Sequence, residues 1–369
     1  MDKIRLMHVI EDLGVGGLER VVVTICRNID RGRFEPSVLV LRGSGELEPE
    51  LAQLGVEVID IGGAPGKGDY FAFRKVAREA RKRRIDLFHT HNTLPLFDAF
   101  AAARLTGVRG HVHTDHARNF PDKLRYMIAE HFASYFLDKI VAVSEDTKKN
   151  LVHYEKISPS RIIVIPNGID GERFTQPVDV AAKRVALGLS SGPVIGLAAR
   201  LTEQKGAIYL LQAVVRLREQ YPGLQVLIAG TGDQDDNLKR AAAELGIASA
   251  VHFLGMRMDM PELVRAFDVF VMPSIWEGLP MALLEAFAAG TPVVASDVGG
   301  VGKVIRHREN GSLVPARDPA ALAAELAHVL AQPELRKKYS ETARRTFEES
   351  YSADAMTRRY EAVYLEAVA

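Results

Sequence analysis

Short apolar runs alternate with longer amphipathic segments from one end of this chain to the other, and no other feature constrains its fold as strongly. A short apolar run bounded by turn residues is a strand buried on both faces, and a longer amphipathic segment is a helix with one face covered. Strands and helices in strict turn require crossover connections, which align the strands in parallel. The sequence therefore predicts an α/β protein. Strands are expected over 4–10, 37–41, 56–61, 87–90, 111–114 and 140–143, and a second set over 194–199, 225–229, 251–254, 269–272 and 293–295, with helices between them.

At 369 residues the chain is long for one core and comfortable for two. The join falls at PNGID, 166–170, where Pro and Asn-Gly form a turn just after an apolar run. The expected division is 1–167, 168–350 and a closing helix over 351–369. That helix carries Met356, Tyr360, Val363, Tyr364 and Ala367 at helical spacing, a face that either domain can cover.

Lysine plus arginine balance aspartate plus glutamate, 47 against 47, so nothing suggests nucleic-acid binding, which calls for a basic stripe. A single cysteine, Cys26, rules out an intrachain disulfide and fits a reducing, cytoplasmic compartment, with Cys26 read as a buried thiol. No apolar stretch approaches the roughly 18 residues of a membrane span. Membrane contact would therefore be peripheral, on the inner face. The basic stretch FRKVAREARKRRID, 73–86, is its candidate, the alternative being a solvated helix face packed on the sheet.

Chemistry concentrates in SIWEGLPMALLEAFAAGTPVVAS, 274–296. Pro280 suits a first helical position and Gly290 an end, which places the helix start near Leu279. The amides of Leu279, Met281 and Ala282 then face the preceding loop, with Gly278 beside them, as an anion site. Glu285 lies one turn further along the same face, where a carboxylate can hold a vicinal diol. Glu277, in the loop, is free to turn toward the helix tip, so the two glutamates bracket a phosphate site. Solvent-facing charges on an ordinary helix are the alternative. Arg200 and Lys205, in AARLTEQKG after another strand, are spaced to flank a diphosphate and to stabilise its departure.

Near the start, Gly14, Gly16 and Gly17 form a loop that a ligand can approach closely, while Glu19 stands where a dinucleotide fingerprint needs a third glycine. Histidines recur at 89, 91, 111, 113 and 116. For His89, His91, His111 and His113 the reading is satisfied core groups, since no companion carboxylate or cysteine cluster has ligand-like spacing. His116, just past a strand end, is the functional candidate.

These segments, in this order, carry a resemblance that runs nearly end to end. GVGGLER, HTHN, TDHARNFPD, VAVSE, IPNGID followed by Phe174, ARLTEQKG, AGTGD, FLG and EGLPMALLEAFAAGTPVVASDVGG together resemble glycosyltransferase family four, in its bacterial polysaccharide or exopolysaccharide-type members. The resemblance implies the GT-B architecture, two Rossmann-like domains with parallel sheets facing across a cleft, the nucleotide held mainly by the second and the acceptor by the first. It implies retaining, metal-independent hexosyl transfer without a cofactor, from a nucleotide-sugar donor, UDP-sugars first, to a sugar or lipid-linked acceptor. By this resemblance Glu285 binds the ribose, Glu277 and His116 the donor sugar, Arg200 and Lys205 the diphosphate, and Gly16 with Gly17 the phosphates. It also implies that the closing helix returns to the first domain. Pro280, Ala117 and the pair Gly302 and Lys303 depart from the common pattern and bear on sugar preference. A nucleotide-sugar epimerase, a phosphorylase of similar architecture and a non-catalytic nucleotide-sugar binding partner are the alternatives. Donor, acceptor, linkage and oligomeric state are not legible.

Overall fold

A computed structural model describes residues 3–14, 17–43, 45–62, 71–116, 121–278 and 280–369. The chain divides into two compact units, one formed by Met1–Gly168 with Ala353–Ala369 and the other by Ile169–Ser352.

In the first unit, seven strands form one sheet: β1 (Ile4–Ile10), β2 (Phe34–Val40), β3 (Glu57–Asp60), β4 (Leu87–His91), β5 (Gly110–Asp115), β6 (Lys139–Ala142) and β7 (Ile162–Val164). Their order is β3-β2-β1-β4-β5-β6-β7, every pair parallel, with Ile4 opposite Phe34 and Leu6 opposite Leu87. Successive residues of β1 serve opposite faces, as a pleated strand requires. Leu6 joins Val21, Ile25 and Phe34 on one side, while Met7 and Val9 join Val76, Ala77 and Ala80 on the other. Both faces are therefore covered by helices, and continuous apolar runs fold into this sheet for that reason.

The helix Ala353–Val368 packs in this unit against Gly17–Asn28 and β5. Its buried residues include Met356, Tyr360, Val363, Tyr364 and Ala367. Two hydroxyls carry polar contacts into the core: Tyr364 Oη lies 2.6 Å from His89 Nδ1, and Tyr360 Oη 3.2 Å from Thr114 Oγ1.

In the second unit, six strands repeat the pattern: β8 (Val194–Ala198), β9 (Gln225–Ala229), β10 (Val251–Gly255), β11 (Val269–Met272), β12 (Val293–Ser296) and β13 (Ser312–Val314). The order β10-β9-β8-β11-β12-β13 is again all parallel. Ile195, Leu197, Val269 and Val271 face Leu210, Leu211 and Val214, and Val194, Phe270 and Met272 face Leu283, Leu284 and Phe287.

Both sheets have the doubly wound order in which the chain reverses direction between the first and fourth strands of the unit. That point leaves a crevice at the carboxyl ends, where open parallel sheets bind ligands. It lies between β1 and β4 in one unit and between β8 and β11 in the other. No helix among the described residues is long and apolar enough to cross a membrane.

Candidate functional site

The loops that leave β8 and β11 hold most of the second unit's candidate residues. β8 ends at Ala198 and runs into Arg200, then into the single turn Glu203–Lys205. Gly206 closes that turn at φ +63°, and a Cβ there would stand 2.1 Å from the Pro273 carbonyl oxygen, so only glycine fits between the two loops. Further contacts join them: Ile275 N donates to Gln204 O at 2.8 Å, and Gln204 Nε2 donates to Trp276 O at 2.9 Å.

Lys205 reaches across this seam. Its Nζ donates to both carboxylate oxygens of Glu277, at 2.8 and 2.9 Å, and Ser274 Oγ donates to Glu277 Oε1 at 2.7 Å. Glu277 is 5% exposed, so the carboxylate expected to turn freely toward the helix tip is instead buried and fully engaged. Desolvation decides this, since a carboxylate removed from water must be paired. Lys205 is correspondingly committed, and among the described residues lining the adjoining cavity Arg200 is the cation without an ion pair.

The helix beyond spans Met281–Ala289, one of the most apolar stretches of the chain and rich in the strong helix formers alanine and leucine. It starts later than its sequence suggests. Pro280 has φ −78° and ψ +119°, an extended conformation, so it precedes the first turn and does not occupy it. Its carbonyl accepts from Leu283 N and Leu284 N at 3.2 and 3.4 Å. Among the described residues the amides of Met281 and Ala282 meet no acceptor, which leaves a positive helix end there. Gly290 ends the helix at φ +70°. Leu279, expected among the donating amides, lies outside the described residues; Gly278 precedes it in the loop.

A cavity of about 680 Å³ gathers these groups: Arg200, Lys205, Glu277, Pro280, Met281 and Ala282 all line it, over a floor that includes Leu197 and Phe270. Glu285, one turn further along the helix, is outside that lining and half-buried. Burial pushes its carboxyl upward, and Arg173 opposes the shift. Thr202, Gln204 and Ser274 also line the cavity and were not singled out by sequence. Their signal was position alone, directly after β8 and β11.

The first unit places His116 just past β5. Its N–H donates to Asn92 Oδ1 at 3.0 Å, and its Nε2 lies 3.0 Å from His91 Nδ1. His91 Nε2 in turn lies 3.1 Å from His8 Nδ1, so three imidazoles form a chain that ends in the core. Burial lowers His116 to about 4 and His8 to about 3, and holds His91 well below the usual histidine range. All three are neutral at physiological pH, and His116 acts there as a hydrogen-bonding group and not as a cation. His8 was not singled out in the sequence because it stands alone among Leu6, Met7, Val9 and Ile10, away from the other histidines in the chain.

His89, His111 and His113 are buried, with ring nitrogens on Thr114, Tyr364 and Thr90. His8, His89 and His91 each bring a ring nitrogen within 4.8 Å of the others. A metal there would have to displace these hydrogen bonds. Asp115, Glu130 and Glu155, far apart in sequence, converge to the same distance, a carboxylate group that spacing did not reveal. Gly16 lies outside the described residues; Gly17 opens the helix Gly17–Asn28 and is exposed. Cys26 is buried, its thiol pushed up to about 12.

Residues 180–346 match the family described as Glycosyl transferases group 1, and residues 15–173 match Glycosyltransferase Family 4. The chain is 34% identical to a D-inositol 3-phosphate glycosyltransferase from Geodermatophilus obscurus, over 84% of this chain and 69% of that one. It is 31% identical to UDP-Gal:alpha-D-GlcNAc-diphosphoundecaprenol alpha-1,3-galactosyltransferase from Escherichia coli, over 64% of each chain. The crystal structure of Anabaena HepE in complex with UDP superimposes with a TM-score of 0.78 at 22% identity, covering 98% of this chain and 99% of that one. The family matches over 15–173 and 180–346 and the 34% identity over 84% of the chain show that it belongs to glycosyltransferase family 4, and its two Rossmann-like units with parallel sheets, matched in the HepE structure, have the GT-B fold.

Proposed function

We propose that this glycosyltransferase moves a hexosyl unit from a nucleotide-sugar donor to a hydroxyl acceptor, with retention of anomeric configuration and without a metal, in the synthesis of cell-surface polysaccharide or glycolipid. One observation carries the reading. Arg200 and the amino-terminal end of the helix Met281–Ala289, where the amides of Met281 and Ala282 meet no acceptor among the described residues, border a single cavity at the switch point of the second sheet. A guanidinium and a helix amino terminus together suit a diphosphate.

In this reading the diphosphate lies against Arg200 and the helix end. Glu285, one turn along the helix, takes the ribose hydroxyls as an acceptor. Glu277, fixed by Lys205 and Ser274, is a rigid wall beside the sugar. Among the first unit's residues we assign sugar contact to His116, and to Gly16 and Gly17 contact with the phosphates. The bond from the anomeric carbon to the diphosphate breaks as the acceptor oxygen bonds to the same face of that carbon, and the acceptor's proton passes to the departing diphosphate. Positive charge already in place stabilises the leaving group more than the ground state, which is the condition for acceleration.

UDP-sugars are the favoured donors. The Escherichia coli relative is named for a UDP-sugar and a lipid diphosphate acceptor, and the HepE structure holds UDP, both of which support the choice. Incubation with a panel of UDP- and GDP-sugars, with chelator present and the product anomer read by NMR, tests the reading. A retained anomer at undiminished rate is expected; an inverted product or a requirement for divalent metal overturns it.

A further inference from the structure

The helix Leu124–Ser134 is inside out. Its buried residues are Glu130, Ala133 and Ser134, while Leu124, Ile128 and Phe132 are 60–68% exposed, and Tyr135 and Phe136, which follow it, are 58% and 47% exposed. At about 100° per residue, positions 124, 128, 132 and 135 fall within an arc of about 80°, one continuous stripe. Four large apolar side chains in one stripe, with Phe136 beside it, are more than isolated surface residues account for, and such a patch marks an interaction face.

Cations stand at both ends of it. Lys123 and Arg125 are exposed at the amino-terminal end, and the Arg104 guanidinium lies 4.4 Å from the centre of the Phe136 ring at the other. His131, within the helix, holds the Glu155 carbonyl at 2.9 Å, and the neighbours of Glu155, Tyr154 and Lys156, are exposed too. The acidic groups alongside are engaged: Asp122 Oδ1 accepts from Lys123 N, and Asp138 Oδ2 from His111 N.

We propose that this stripe is the face by which the protein docks on an anionic lipid bilayer. Apolar side chains enter the boundary between headgroups and acyl chains, tyrosines sit at that level, and the lysines and arginines meet lipid phosphates. A second copy of the chain fits the face less well, because pairing the stripe with itself brings cations against cations. The basic helix Ala72–Arg83, which its sequence offers as the membrane candidate, has no apolar face of its own left for a bilayer. Its Val76, Ala77 and Ala80 are in the core, and Arg83 is spent on Glu57 and Glu79 at 2.6 and 2.5 Å and Arg78 on Glu79 at 2.9 Å. The inference is independent of which donor or acceptor the enzyme uses.

Sedimentation of the full chain with vesicles of phosphatidylglycerol and phosphatidylcholine, against phosphatidylcholine alone, tests it. The protein should sediment with the anionic vesicles and be released by salt. Ile128→Ser with Phe132→Ser should weaken binding at least about tenfold, as should Lys123→Glu with Arg125→Glu, both on surface positions. Arg81→Glu with Lys82→Glu, on the other helix, should bind as wild type. Failure of the wild type to bind, or wild-type binding by the apolar double variant, overturns the proposal. So does a dimer formed without lipid that the same double variant splits, which would make the face an interface between copies.

Discussion

Lys205 Nζ stands within 2.9 Å of both carboxylate oxygens of Glu277, tying the loop after β8 to the loop after β11 at the mouth of the cavity. The pair is asymmetric: the lysine side chain is 24% exposed and the glutamate 5%. Removing each partner therefore has a different consequence. Lys205→Ala strands a buried carboxylate with Ser274 alone and should cost about 3 kcal/mol. Glu277→Gln keeps an acceptor for Ser274 and leaves an ammonium that reaches water, at about 1 kcal/mol. Urea unfolding of the two variants should rank them in that order, while transfer is lost in both. The reverse order would mean that the pair is not held in this geometry.

Gly299 is the second brace of Glu277. It has φ +49°, and a Cβ on it would lie 1.9 Å from the Glu277 carbonyl oxygen, the same oxygen that accepts from Gly300 N at 3.2 Å. Gly299→Ala must push that loop outward. Stability should fall by about 1–3 kcal/mol from strain, and kcat/KM should fall by more than that loss of folded protein explains. An active, equally stable alanine variant would contradict the close approach.

The first unit should be acid-sensitive. Burial lowers His8 and His111 to about 3 and His116 to about 4, and His89 and His91 lie well below their usual range. Folded, these groups bind fewer protons than when unfolded, so their contribution is complete above about pH 6.5 and is lost as pH falls toward the folded values. Each histidine adds up to about 1.4 kcal/mol per pH unit in that window. Urea midpoints measured from pH 7 to pH 4 should drop steeply, and His111→Asn should make the drop shallower. A flat profile would show that these imidazoles are reached by water.

Tyr364 anchors the closing helix through His89 Nδ1 at 2.6 Å, with both groups fully buried. Tyr364→Phe keeps the ring and leaves the imidazole nitrogen without its partner, so a loss of about 1–3 kcal/mol is expected in thermal unfolding. An unchanged melting temperature would place the hydroxyl contact elsewhere.

Much of this architecture was legible in the sequence, because strands buried on both faces announce themselves as apolar runs. β1, β9 and β11 have the bounds that pattern predicts. β2 begins earlier, at Phe34, since Glu35 and Pro36 break the apolar run although the backbone stays in register with β1. β13, only Ser312–Val314, was not anticipated: three residues at a sheet edge give too little periodicity to read. Pattern also placed Arg200, Lys205, Glu277 and Met281 after strands, but not their pairing. Lys205 and Glu277 are 72 positions apart, and only the parallel alignment of β8 with β11 brings them together. The start of the helix at Met281 was misread because proline suits both the first turn and the residue before it, and the ψ of Pro280 decides between them.

The central claim is that the cavity beside Arg200 holds the diphosphate of a nucleotide sugar. Its most direct test is thermal unfolding of wild type, Arg200→Ala and Arg216→Ala, an exposed control on another helix, with rising UDP and UDP-sugars. A ligand at about a hundred times its Kd stabilises by about 2.7 kcal/mol. Wild type and Arg216→Ala should shift together, and Arg200→Ala should shift far less at the same concentration. An equal shift in all three, or no shift with any nucleoside diphosphate, contradicts the account.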